Sequence, residues 1–137
     1  MSTNIARYSI AHHHLSRGNY LSADGVTPLH IHAMSISPTQ LSLRKLRADG
    51  IACQVVEYYN SHSRKRVDLF TILDIVALHG EDTIGVQCTT KANMKAREKK
   101  IIECEYLPAL RDAGWTLLLW GWWKDGNRWV VKELDLS

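Results

Sequence analysis

The chain has 137 residues, 45% hydrophobic and 23% charged, a single-domain length that can bury a substantial core and a composition that excludes global disorder. Its formal charge of +3 is too small to define a partner, so any anionic ligand must be read from local clusters. Cys53, Cys88 and Cys104 are odd in number and lack Cys-x-x-Cys spacing, no run of about 18 apolar residues is long enough to span a bilayer, and the N-terminus lacks an apolar signal core; reduced thiols, no membrane span and a cytoplasmic location are expected.

Residues 1–36 hold only Arg7, Arg17 and Asp24 as charged side chains and collect His12, His13, His14, His30 and His32 without an apolar period. They are expected to form an irregular N-terminal extension. Zinc is not expected there, because the histidines lack further ligands at suitable spacing. Ser37-Pro38 can cap and open a helix whose apolar contacts are Leu41, Leu43 and Leu46, and Gly50 stops it, which gives a helix over about 38–49. Alternation through Ile51, Cys53 and Val55 predicts a strand to about Tyr59. A polar turn at Asn60–Lys65 leads to a long strand over 67–78. His79-Gly80-Glu81-Asp82 reads as a tight turn and Thr83–Thr89 as the return strand. Met94, Arg97, Ile101, Cys104 and Leu107 or Pro108 mark one helical face over about 92–112, with Pro108 expected to kink or divide it and Gly114 to end it. Trp115–Trp122 is a fourth strand and Arg128–Leu134 a fifth, joined by a turn at Lys124–Asn127. The fold class is therefore α/β, a mixed sheet in the order helix, three strands, helix, two strands, with helices on its faces.

Within this frame Asp74 and Gln87 are the most informative pair. A two-residue loop at Gly80-Glu81 pairs 79 with 82 and, further along the same ladder, 74 with 87, whose Cβ atoms would then lie about 4.5–5.5 Å apart. The Asp74 carboxylate and the Gln87 amide oxygen could then share one divalent cation, with the Thr89 hydroxyl on the same face and Val86 and Cys88 on the other. An unpaired carboxylate in so apolar a segment would be costly, which favours a ligand role for Asp74. Glu57 and Asp68 form a second facing pair if the turn is centred near residues 62 and 63. They are candidates either for ion pairs with Arg64, Arg66 or a neighbouring subunit, or for a carboxylate lent to the site. On an ideal strand Asp68 lies roughly 20 Å from Asp74, so the two share a metal only if a bulge intervenes.

The order of elements, with Asp74-Ile75-Val76-Ala77 in one strand and Gln87-Cys88-Thr89 in the next, resembles the core of the PD-(D/E)XK nuclease superfamily, which includes restriction endonucleases and archaeal Holliday-junction resolvases. Ser37-Pro38-Thr39-Gln40, Leu46-Arg47-Ala48-Asp49-Gly50, Val56-Glu57, Asp68-Leu69-Phe70, Val86-Gln87-Cys88-Thr89-Thr90 and Trp120-Gly121-Trp122 look like a group of small phage and prophage proteins related to those resolvases. The similarity covers about residues 37–134 and leaves the first 36 unassigned. It implies a restriction-endonuclease-like domain over 37–137, Mg²⁺ or Mn²⁺ as cofactor, DNA as partner with RNA left open, a host cytoplasm if the protein is phage-encoded, and a homodimer by analogy. It also implies metal ligation by Asp74 and Gln87, and a matching place for Gln40 near the start of the first helix. Thr89 stands where the family has lysine, and a hydroxyl supplies no positive charge; Lys91, Lys95 or Arg97 could reach back instead. The expected activity is metal-dependent, structure-selective cleavage of phosphodiester bonds, the alternative being a nucleic-acid-binding protein that keeps the fold without the chemistry.

Lys91, Lys95 and Lys99 recur at i, i+4 and i+8, a basic stripe joined by Arg97, and Arg64-Lys65-Arg66 gives a second basic cluster on a turn. Both suit phosphate backbones, and with no base-reading motif they point to shape rather than sequence. The five tryptophans, at 115, 120, 122, 123 and 129, are expected to pack the core or a dimer surface rather than to stack on bases.

Overall fold

The computed structural model describes residues 35–137; the expected irregular extension and its histidines lie almost entirely outside the described residues. Helix α1 (Pro38–Ala48) begins as the sequence implies: the Ser37 hydroxyl accepts from the Gln40 amide at 3.2 Å and Pro38 occupies the first turn. Strands β1 (Ala52–Val55), β4 (Ile75–His79), β5 (Asp82–Thr90), β6 (Thr116–Asp125) and β7 (Arg128–Asp135) make one five-stranded sheet in the order β1-β4-β5-β6-β7. A separate two-stranded ribbon is formed by β2 (Tyr58–Asn60) and β3 (Lys65–Val67). All neighbours are antiparallel except β5 and β6, which run parallel and are joined through helices α2 (Met94–Ile102) and α3 (Leu107–Asp112). The protein is thus an α/β fold with a mixed sheet flanked by helices.

Three expectations change in detail. The strand expected over 51–59 is two strands in two sheets, because the chain leaves β1 at Val56 and re-enters extended structure in the ribbon. The helix expected over 92–112 is a 3₁₀ turn (Lys91–Asn93) followed by α2 and α3, with Pro108 in the first turn of α3, where its missing amide hydrogen is harmless. The long strand expected over 67–78 is interrupted. Leu69 and Leu73 exchange backbone hydrogen bonds, each 2.9 Å, and Phe70 and Thr71 take positive φ values of 51° and 68°. Two successive non-glycine residues in the left-handed region fold 69–73 into a tight loop. Ile72 and Leu73 plug it into the core, at 1% and 2% exposure.

Strand alternation divides the core in two. Ile75, Ala77, Val86, Cys88, Leu118, Trp120 and Trp122 face α1 and its Leu41 and Leu46, whereas Leu117, Leu119, Met94, Ile101 and Leu110 pack on the other face with Ile72 and Leu73. Two of the tryptophans, Trp120 and Trp122, are therefore core residues, and the Trp122 indole donates to the Ser42 hydroxyl at 2.9 Å. The cysteines are free thiols, with only Cys88 buried.

Lys45 is an unusual member of the α1 layer. It is 1% exposed, with its ammonium 3.9 Å from Asp49 and 6.0 Å from the Trp120 ring centre. Desolvation pulls its pKa down to about 8, against the opposing attraction of Asp49 and Glu133. Because the folded value lies below the unfolded one, the unfolded chain holds the extra proton between about pH 8 and 10.5, and stability rises with pH through that window. Urea melts of the wild type and Lys45→Met should therefore diverge in favour of the wild type by about 2 kcal/mol on going from pH 7.5 to pH 9.5. A constant difference between the two proteins would mean that Lys45 does not titrate there.

Candidate functional site

The β4–β5 turn sets the geometry. His79 pairs with Asp82 across Gly80-Glu81, and Gly80 has φ of +62° while Glu81 stays negative, the sign pattern of a type II′ turn. The ladder continues to Ile75 opposite Val86, and one step further Asp74 meets Gln87. Asp74 Oδ2 accepts from Gln87 Nε2 at 2.5 Å and from the Cys88 amide at 2.8 Å. The expected pairing across thirteen positions is present, on the sheet face that carries α2 and α3. Thr89 lies on the same face, buried at 4% exposure, opposite Gly121 of β6.

The interrupted strand corrects the expected separation of Asp68 from Asp74. Instead of lying a strand's length apart, Glu57, Asp68 and Asp74 bring one carboxylate oxygen each to within 4.8 Å of one another. Two local features do this. The 69–73 loop takes up the intervening residues, so Asp68 folds back beside Asp74. The Val56 amide donates to the Asp74 carbonyl at 2.9 Å, which sets Glu57 alongside. The ribbon register, Tyr58 with Val67 and Tyr59 with Arg66, extrapolates to Glu57 with Asp68, as a turn centred at 62 and 63 requires. That turn is held by the Asn60 side-chain oxygen, which accepts from His62 N at 2.9 Å and Ser63 N at 3.3 Å. The loop itself is anchored from behind: the Cys104 thiol donates to the Phe70 carbonyl at 3.4 Å, and the Phe70 ring meets Tyr106 and Trp115 at 5.5 and 6.1 Å. An apolar cavity of about 110 Å³ lies among these rings and α3.

Crowding three carboxylates is unfavourable unless something neutralises them. Asp74 is pushed up to about 7, first by burial, then by the charges of Asp68 and Glu57 and a hydrogen bond with the Asp68 carboxyl, with the Cys88 amide opposing. Part of the negative charge is met by cations: Arg66 bonds Glu57 at 3.1 Å and Lys100 lies 3.5 Å from Asp68. The sequence anticipated Arg66 as a partner of Glu57, but not Lys100. Beside the cluster, Gln87 is 1% exposed and its Oε1 has no hydrogen-bond partner. Three converging carboxylates, with an orphaned buried carbonyl oxygen on the residue bonded to Asp74, are hard oxygen donors of the kind that divalent cations take, so the residues fit a metal.

The other anticipated residues fall elsewhere. Gln40 is exposed on α1, whose buried side packs on the opposite sheet face. Lys91 turns its ammonium to the Trp123 ring, 4.2 Å from its centre, and packs beside Gly121, where an added Cβ would sit 3.1 Å from the Lys91 Cα and collide with Met94. Lys95 is exposed, Arg97 half-buried, and Lys99 pairs with Glu103 at 4.0 Å. Arg64 and Lys65 are exposed at the tip of the ribbon. Among the described residues, no helix is long and apolar enough to cross a membrane. Comparison of the chain with protein-family models, with curated proteins and with solved structures finds no match.

Proposed function

We propose that this chain is a metal-dependent endonuclease of the PD-(D/E)XK type that hydrolyses phosphodiester bonds in DNA. The observation that carries the proposal is the convergence of Glu57, Asp68 and Asp74 within 4.8 Å, with Gln87, whose Oε1 is orphaned, bonded to Asp74. Mg²⁺ or Mn²⁺ suits these oxygens, and when bound would supply a more acidic attacking water and neutralise charge on the phosphate. Asp74 and Gln87 form the rigid, sheet-borne part of the set, while Glu57 and Asp68 complete it from the ribbon and the loop. Lys100, 3.5 Å from Asp68, takes the role that Thr89 cannot fill, holding a phosphate oxygen as its negative charge builds. Lys95, Arg97 and Lys99 on α2 and Arg64, Lys65 and Arg66 on the ribbon supply phosphate contacts on either side, and a homodimer follows by analogy with resolvases.

A second reading, binding without cutting, is favoured by Thr89 in the place of the motif lysine and by the engagement of Lys91 with Trp123. Incubating supercoiled plasmid with the protein separates the two. The nuclease reading expects nicked circles with Mg²⁺ or Mn²⁺, none with EDTA, and none from Asp74→Ala. Salt-sensitive retention of DNA with no product under any metal would establish the second reading.

A further inference from the structure

The ribbon β2–β3 is set apart from the five-stranded sheet and carries two features that the carboxylate cluster does not explain. Tyr58 and Tyr59 are adjacent on one strand, so their side chains leave on opposite faces. Both are largely bare, at 59% and 62% exposure. Both faces of the ribbon are therefore open to solvent at this level, and it projects as an arm. Large exposed rings are costly on an isolated ribbon of three ladder pairs, which is itself marginal in water. Exposed Arg64 and Lys65 stand a few residues away across the turn.

Rings interleaved with cations are the components of single-strand nucleic-acid sites, where the ring takes the face of a base and the cation takes the phosphate. The register gives the arm a direction. Tyr59 faces Arg66, and Glu57 faces Asp68 on the same side, so the Tyr59 ring lies one strand repeat, about 7 Å, from the carboxylates. A bilayer is flat and would meet only one face of the ribbon, leaving the other tyrosine bare. An unpaired strand can follow both.

We propose that the β2–β3 arm binds unpaired nucleotides, with Tyr58 and Tyr59 stacking on bases and Arg64 and Lys65 neutralising phosphates, so that the preferred substrate is a nucleic acid with a single-stranded segment beside the carboxylates. This rests on the nuclease reading only for the position of the bond to be cut; binding by the arm does not require cutting.

The test is fluorescence anisotropy of the full chain in EDTA at low salt, with a labelled single-stranded oligonucleotide and the same strand annealed to its complement. Tyr59→Ala and Tyr58→Ala should each weaken single-strand binding about 10-fold and leave duplex binding within about twofold. Tyr59→Phe, which keeps the ring, should behave as wild type, and unchanged thermal melts show that the exposed substitutions leave the fold intact. Equal losses on both DNAs, no loss on the single strand, or failure of the wild type to bind the single strand while it binds anionic phosphatidylserine vesicles or self-associates, would each overturn the arm. Tyrosine-dependent retention without metal-dependent nicking would remove the nuclease reading and leave the arm standing. Metal-dependent nicking by a protein whose single-strand binding neither tyrosine substitution weakens would do the reverse.

Discussion

Asp74→Asn is expected to abolish Mg²⁺-dependent nicking and, in the absence of metal, to make the protein more stable. The loss of activity follows from removing the one carboxylate rooted in the sheet, the donor on which the others converge. The gain in stability follows from the same crowding. The folded pKa of Asp74 is raised from 3.8 to about 7, so its contribution to stability is fully present below about pH 4 and is lost as pH rises through 7. Ionising it at pH 8 costs roughly 4 kcal/mol, of which the asparagine should recover about half. The substituted amide keeps, at the Oδ2 position, an oxygen that accepts from both the Cys88 amide and Gln87 Nε2, and it carries no charge to be desolvated. A rise in melting temperature on the order of 10 °C is expected at pH 8 in EDTA, shrinking toward pH 4. Added Mg²⁺ should stabilise the wild type and leave Asp74→Asn unmoved. A variant that melts below the wild type at pH 8 in EDTA would show that Asp74 is a structural acid.

Lys100→Ala is expected to slow single-turnover cleavage about 100-fold, the scale of losing one charged donor at a reacting phosphate. Its effect on DNA affinity in EDTA should be small, because one exposed lysine among several basic side chains contributes little to the total. Lys100→Arg should restore part of the rate, since the charge is kept while the geometry at Asp68 changes. Rates unchanged in Lys100→Ala would return the role to Lys95 or Arg97.

The sequence made the Asp74–Gln87 pair legible because a two-residue turn with glycine first leaves only one register, and alternation then assigns Val86 and Cys88 to one core and Gln87 and Thr89 to the other face. The helix start at Ser37-Pro38 and the division at Pro108 were equally plain, each resting on a residue with one strong local preference. What was not legible is the loop at 69–73. Leu69, Phe70, Ile72 and Leu73 are strand-forming by composition, and the reversal occurs at Phe70 and Thr71, residue types that avoid positive φ and so give no local signal. Burial of Ile72 and Leu73 and the grip of Cys104, Tyr106 and Trp115 on Phe70 override local preference. The third carboxylate was misplaced for that reason. Lys100 was not legible because it lies one residue off the stripe at 91, 95 and 99, and its partner Asp68 reaches it only through the 69–73 loop.

Two of the three acidic oxygens, those of Glu57 and Asp68, hang at the foot of the arm, while the third is fixed in the sheet. Whatever steadies the arm must therefore also steady the cation's cage. By thermodynamic reciprocity, a strand that grips Tyr58 and Tyr59 tightens metal binding by the same factor by which metal tightens the strand. Under the nuclease reading, the site would be poorly loaded at rest and completed by the strand it is to cut.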